Sequence, residues 1–346
     1  MDAFLQLPVE QRRNAFAETE ARLGLNRTSV EKDLWVCWTL RELFQLPDIG
    51  AHLFFKGGTS LSKAWRIIDR FSEDIDIVID RAYLGFGGDA SPERAHSKKQ
   101  QRHRLENLRT ACQQVIRDRL QPAFISHMAT TLPKEHTCKL TNDPDDPDGQ
   151  TLLLQYPSVL SSSDYVRPVV KIEMGARSDT EPFETPPIRP YVAEALPEIR
   201  GMDAFPVRAV AARRTFWEKS MLLHEETFRP ADKPRKARLA RHYYDLWCLI
   251  TKGIADHAVA DEGLFDRVLA HRAVFFRWSW VDYTTLRRGS LRLVPLPEQL
   301  PEWRQDYQAM QTEMFFGEVP SFDEILRVVG EFERRFNDTT VSARST

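Results

Sequence analysis

The sequence predicts an α/β half followed by a mostly helical half, with boundaries at 1–200 and 201–346. Three observations carry this. The stretch "FFKGGTSLSKAWRIIDRFSEDIDIVID" (residues 54–80) sets an apolar run, two glycines, a helix-patterned segment and an alternating segment in immediate succession. Strand-like runs recur as far as residue 174. Beyond residue 212 every patterned segment has helical spacing.

The elements follow in order. Residues 8–24 and 28–45 read as amphipathic helices. Thr28 and Glu31 have capping-box spacing, and Val30, Leu34, Cys37, Trp38, Leu40, Leu43 and Phe44 form the apolar face of the second. Residues 52–56 form a short strand, and 60–68 a helix with Leu61, Ala64, Trp65 and Ile68 on one stripe. In 74–80, Ile75, Ile77 and Ile79 face one way and Asp74, Asp76, Val78 and Asp80 the other. After a loop, Ser91-Pro92-Glu93 starts a helix running to about residue 120, polar in its first half. Leu105, Leu108, Cys112, Val115 and Ile116 give its second half core spacing. Strands are expected at 122–130, 136–141, 151–156 and 166–174, and a proline-rich linker near 181–205. Helices are expected at 213–227, 235–252, 258–276, 299–314 and 321–336, the last opening on Ser321 and Glu324.

At 346 residues the chain suits about two domains. A net charge of −2 means that any polyanion site must be a local patch. Four scattered cysteines, Cys37, Cys112, Cys138 and Cys248, lack zinc-ligand spacing and fit buried thiols of a reducing cytosol. The N-terminus lacks a leader pattern and no run approaches membrane-span length, so a cytoplasmic protein is expected.

Asp74 and Asp76 are the chemical centre of this reading. Two successive same-face residues of a strand stand about 7 Å apart, so both carboxylates reach one cavity. Carboxylates without His or Cys suit Mg²⁺, which is held by one or two carboxylates plus substrate phosphates. That points to phosphoryl or nucleotidyl transfer, with room for two metals. Gly57-Gly58-Thr59-Ser60 supplies the complement: glycines let backbone approach a ligand, and the following helix start favours phosphate. Thr59 or Ser60 can cap that helix and bond a phosphate oxygen.

Asp245 lies within "YYDLW", where burial is expected and a buried carboxylate needs a partner, Arg241 or Lys219. Arg94, Lys98, Lys99, Arg102, Arg104 and Arg109 make the polar half-helix basic, a surface that suits an RNA backbone or is a solvated arm.

The stretches "FKGGTSLSK", "RFSEDIDIVI", "PVVKIEMGAR", "FWEKSMLLHEE" and "RLARHYYDLWCL" resemble the AbiEii-type nucleotidyltransferase toxin family of phage-defence and toxin–antitoxin operons, within the polymerase-β-like superfamily. The resemblance covers roughly residues 28–252. It implies a polymerase-β-like core with a mixed sheet, then a helical C-terminal domain. It makes Glu173 a third metal carboxylate, Lys219 a nucleotide contact and Asp245 a second-domain active-site acid. It also implies an NTP substrate, an RNA acceptor such as tRNA, and a cognate antitoxin. Two rivals stand beside it: a silent nucleotide- or RNA-binding protein, and transfer to a protein acceptor. A phosphohydrolase with Asp74 as nucleophile is disfavoured, because "SEDIDIVID" puts the acids at the strand's start with no Thr or Ser close behind.

Overall fold

Seven strands in the order β3-β4-β5-β2-β1-β9-β6 form a mixed sheet between residues 53 and 210. They are β1 (Leu53–Lys56), β2 (Ile75–Ile79), β3 (Lys139–Asn142), β4 (Thr151–Gln155), β5 (Val169–Gly175), β6 (Phe183–Glu184) and β9 (Ala209–Val210). A small ladder pairs β7 (Pro187–Ile188) with β8 (Phe205–Pro206). The central pairs are antiparallel β1/β2, parallel β2/β5 and antiparallel β4/β5. The computed structural model describes the chain except residues 71, 73, 134–135, 161–166, 316–318 and 339–346, and the side chains of 312–314. Residue 166, the start of one expected strand, therefore lies outside the described residues, as do Phe71 and Glu73 of "RFSED". Two compact units result: Met1–Arg66 with Phe71–Val210, and Ile67–Arg70 with Ala211–Thr346.

In the first unit, α1 (Asp2–Leu5), α2 (Val9–Leu23) and α3 (Arg27–Phe44) precede the sheet. The α3 start differs from expectation. Asn26 is the cap, its side chain accepting from the Thr28 N–H at 2.8 Å. Glu31 instead turns inward and accepts from Ser158 Oγ and the Val159 N–H, so it cannot close a capping box. Buried Trp35 stacks on Tyr156, with ring centres 5.2 Å apart. The next helix, α4, spans Gly57–Lys63, so the glycines are its first turn and no side chain caps it. Lys63 anchors its end through an ion pair with Asp33 at 2.7 Å, and Trp65 Nε1 donates to the Val210 carbonyl.

The long helix begins later than Ser91. A short turn spans Pro92–Arg94, and Ser97 then caps α5 (Lys98–Val115), accepting from the Gln100 N–H. The helical path continues through a wide π turn, Ile116–Leu120, into α6 (Gln121–Thr131). Residues 122–130 are thus helical, not a strand. Pro122 is the second residue of α6, directly after the π turn. Buried Leu120, Phe124 and Met128 recur every four residues. The 181–205 stretch carries β6, β7 and α7 (Tyr191–Ala195), and β6 pairs with β9, so it is structured rather than a bare linker.

The second unit is helical: α8 (Ala212–Thr227), α9 (Arg241–Thr251), α10 (Ile254–Ala260), α11 (Leu264–Phe275), α12 (Leu300–Met314) and α13 (Phe322–Asn337). The helix expected at 258–276 is split at Gly263, whose φ of +75° breaks the helical path. Ser321 Oγ accepts from the Glu324 N–H and starts α13. Phe216, Trp217, Phe332 and Phe336 interlock in its core. Among the described residues no helix is long and apolar enough to cross a membrane.

Candidate active site

Register fixes the first site. Asp76 on β2 pairs with Lys56 on β1 and with Glu173 on β5. Residues opposite one another across strands share a face, so all three side chains project to one side of the sheet. Asp74, two residues before Asp76, joins that side. Ile75, Ile77 and Ile79 are buried on the other, which is why the acids are forced outward.

Gly57 makes the site possible. Its φ is +79°, and a Cβ built there would lie 1.8 Å from Asp76 Oδ2. The Asp76 carboxylate therefore occupies the volume of a missing side chain, tight against the first turn of α4. Thr59 holds the approach to β2 in place. Its hydroxyl donates to the Asp74 carbonyl at 2.5 Å, and Ser72 Oγ lies 2.9 Å from it. Ser60 Oγ donates to the Gly57 carbonyl at 2.9 Å. Both hydroxyls are buried and turned inward, so neither caps α4.

Lys171 is the member of this face that sequence reasoning missed. It stands two residues before Glu173 on β5, and its amino group lies 2.8 Å from Glu173 Oε1 and 3.6 Å from Asp143 Oδ2. The Glu173 hydrogen bond raises its pKa, and the charges of Asp74 and Asp143 add to the effect. The K-x-E spacing was the available signal. Among the described residues no three His, Cys, Asp or Glu side chains gather as a metal cluster. The Asp74/Asp76 pair nevertheless offers an oxygen-only donor set of the kind that suits Mg²⁺.

The second unit holds Lys219 on α8 and Asp245 on α9. Asp245 is fully buried. Arg70 grips it with both arms of its guanidinium, Nε to Oδ1 at 2.7 Å and Nη2 to Oδ2 at 2.8 Å. Lys219 Nζ reaches the same Oδ2 at 2.8 Å and lies 3.2 Å from His242 Nδ1. Burial alone would raise the Asp245 pKa, but Arg70 and Lys219 outweigh it and hold the carboxyl well below the usual range. Burial lowers the Lys219 pKa against the pull of Asp245, with Arg70 adding to the lowering. Burial and then Lys219 keep His242 neutral. The partners of Asp245 are thus Lys219 and Arg70; Arg241, the other expected candidate, forms no ion pair among the described residues. Arg70 was missed although it opens the quoted "RFSED" motif.

The basic half-helix is only partly available. Lys98, Lys99 and Arg102 are exposed at the start of α5. Arg104 instead donates to the Asp89 and Ser91 carbonyls, and Arg109 pairs with Asp148 at 3.5 Å.

A family model described as nucleotidyl transferase AbiEii toxin, type IV TA system, matches residues 38–328. No curated protein sequence matches the chain. Among solved structures, MenT4, a nucleotidyltransferase toxin of Mycobacterium tuberculosis H37Rv, is similar at a TM-score of 0.50 and 17% identity, over 93% of this chain and 89% of that one. At that identity the likeness concerns the fold.

Proposed function

Because this chain belongs to the AbiEii nucleotidyltransferase toxin family of type IV toxin–antitoxin systems, we propose that it moves a nucleoside monophosphate from an NTP onto RNA, with tRNA the foremost acceptor. The observation that carries this is Asp76, set between Lys56 and Glu173 and pressed against Gly57. Asp74 and Asp76 would hold Mg²⁺, with Glu173, now paired with Lys171, the further carboxylate on the same face. When bound, Mg²⁺ draws charge off the attacking and leaving oxygens. Gly57 and Gly58 let the backbone cradle the triphosphate, with Thr59 and Ser60 fixing that turn from behind. Lys219 contacts the nucleotide's phosphates, and Asp245 orients its amino group. An acceptor hydroxyl attacks the α-phosphate, a new P–O bond forms, and pyrophosphate leaves with the electrons of the broken one. Lys98, Lys99 and Arg102 steer the RNA backbone. A cognate antitoxin, a cytoplasmic site of action and a part in phage defence complete the reading.

The test is incubation with each labelled NTP, Mg²⁺ and total RNA. Label is expected in RNA, with one preferred NTP, and absent for Asp76→Asn. Label on protein would move the acceptor to a polypeptide. No label anywhere, from folded protein, would overturn the reading.

A further inference from the structure

Outside the residues already assigned, the second unit holds a pair of stacked indoles, Trp278 exposed and Trp280 half-buried. Trp278 and Trp280 lie in the loop after α11, ring centres 4.4 Å apart and 23° from coplanar, and Trp278 is 42% exposed. Leaving so much indole in water is unfavourable, and this pair is also held in place. The Trp278 backbone N–H donates to Tyr283 Oη at 3.1 Å, and that hydroxyl donates to Glu225 Oε1 at 3.1 Å. Glu225 is buried and gripped by both arms of Arg272. The loop is thereby tied to the core of the unit through its own aromatic residue.

Cations crowd the same feature. Lys233 Nζ lies 4.4 Å from the Trp280 ring centre and the Arg229 guanidinium 5.5 Å from it. Arg292 stands over Phe228 next door in sequence to Arg229. Residues 229–238 carry five basic side chains and one acid, and 277–292 four arginines and one acid. Glu226 neutralises Arg229, but Lys233, Lys236, Arg277 and Arg287 make no ion pair among the described residues. An apolar partner would have to bury these charges unpaired. A polyanion with flat aromatic groups satisfies both the rings and the cations.

We propose that Trp278 and Trp280 form a stacking platform for an unpaired base of single-stranded RNA, with Lys233 and Arg277 serving the flanking phosphates. This rests on the RNA acceptor proposed above and adds how the substrate's unpaired segment is held. Every base has a π face, so the platform selects single-stranded over paired RNA without selecting sequence.

The experiment is binding of the full chain to a labelled single-stranded RNA oligonucleotide, the same strand in a duplex, and the same strand with abasic sites. Trp278→Ala, Trp278→Phe and Lys233→Glu are compared with the native chain. Trp278→Ala is expected to weaken single-strand binding about fivefold to a hundredfold. Trp278→Phe should retain most of it, and abasic RNA should bind the native chain as weakly as normal RNA binds Trp278→Ala. Equal affinity of Trp278→Ala and the native chain, equal affinity for abasic RNA, or no RNA binding at all would overturn the platform. So would loss of antitoxin binding with RNA binding intact, which would make the surface a protein dock. Binding is read without turnover: transfer without a Trp278 effect sinks the platform alone, and base-dependent binding without transfer sinks the proposed reaction alone.

Discussion

The candidate sites of the two units carry charge in opposite ways. On the sheet face of the first, Glu173 and Lys171 are 44% and 37% exposed, so solvent screens them and a ligand can reach them. In the second, Asp245 is 0% exposed and held by two buried cations. Charges that water can solvate are cheap to keep and easy to reassign to a substrate. Charges sealed from water depend on one another, and removal of one strands the rest. The first arrangement suits groups that must change partners during turnover; the second sets geometry and protonation.

The largest effect that would break this contrast is catalytic. Asp76→Asn should cost transfer about a thousandfold or more, while thermal unfolding stays close to native. A large fall in melting temperature would mean the acid face is structural too. Next, Asp245→Asn should cost about 3–5 kcal/mol of stability in urea unfolding, because Arg70 and Lys219 are left without their shared anion. A stability near native would remove the contrast from the other side.

His224 sharpens the same point through pH. Burial, with Arg292 nearby, lowers its pKa to about 4, and its Nδ1 accepts from the Arg292 N–H at 2.9 Å. The unfolded chain binds a proton near pH 6.5 and the folded chain near 4, so this contribution to stability is complete above 6.5 and lost as pH falls towards 4. Urea unfolding at pH 7.5 and pH 5 should differ by about 2 kcal/mol from this group, and His224→Gln should flatten the difference.

Smaller again is Gly57→Ala. A φ of +79° and the Asp76 carboxylate both oppose a methyl group. Stability should fall about 1–2 kcal/mol and transfer about tenfold to a hundredfold as Asp76 is displaced; unchanged kinetics would show that Asp76 need not sit there. The smallest effect concerns the exposed cations of α5. Lys98→Glu, Lys99→Glu and Arg102→Glu together should lower the slope of log RNA affinity against log salt by about two, with NTP binding unaltered. Identical slopes would make this half-helix a solvated arm.

What was legible in the sequence was what is local. The Asp74/Asp76 face follows from a two-residue period, and Gly57 and Gly58 stand next to the strand they follow. The helix at 121–131 was misread because its aromatic and β-branched residues suit a strand; the four-residue recurrence of Leu120, Phe124 and Met128 was the stronger signal. Glu31 looked like a cap residue by spacing, and only its distant partners Ser158 and Val159 turn it inward. Arg70 could not be paired with Asp245 from pattern alone, since 175 residues separate them. Lys219 sat within reach of the same reasoning because burial of Asp245 already demanded a cation.

That separation has a consequence in time. The ribosome finishes Ile67–Arg70 long before it makes α9, yet these four residues belong with the unit that α9 builds. At about 5–20 residues per second, 175 residues take roughly 9–35 seconds to synthesise. Through that interval the nascent chain holds Arg70 without Asp245, so this pair closes only when translation is well advanced.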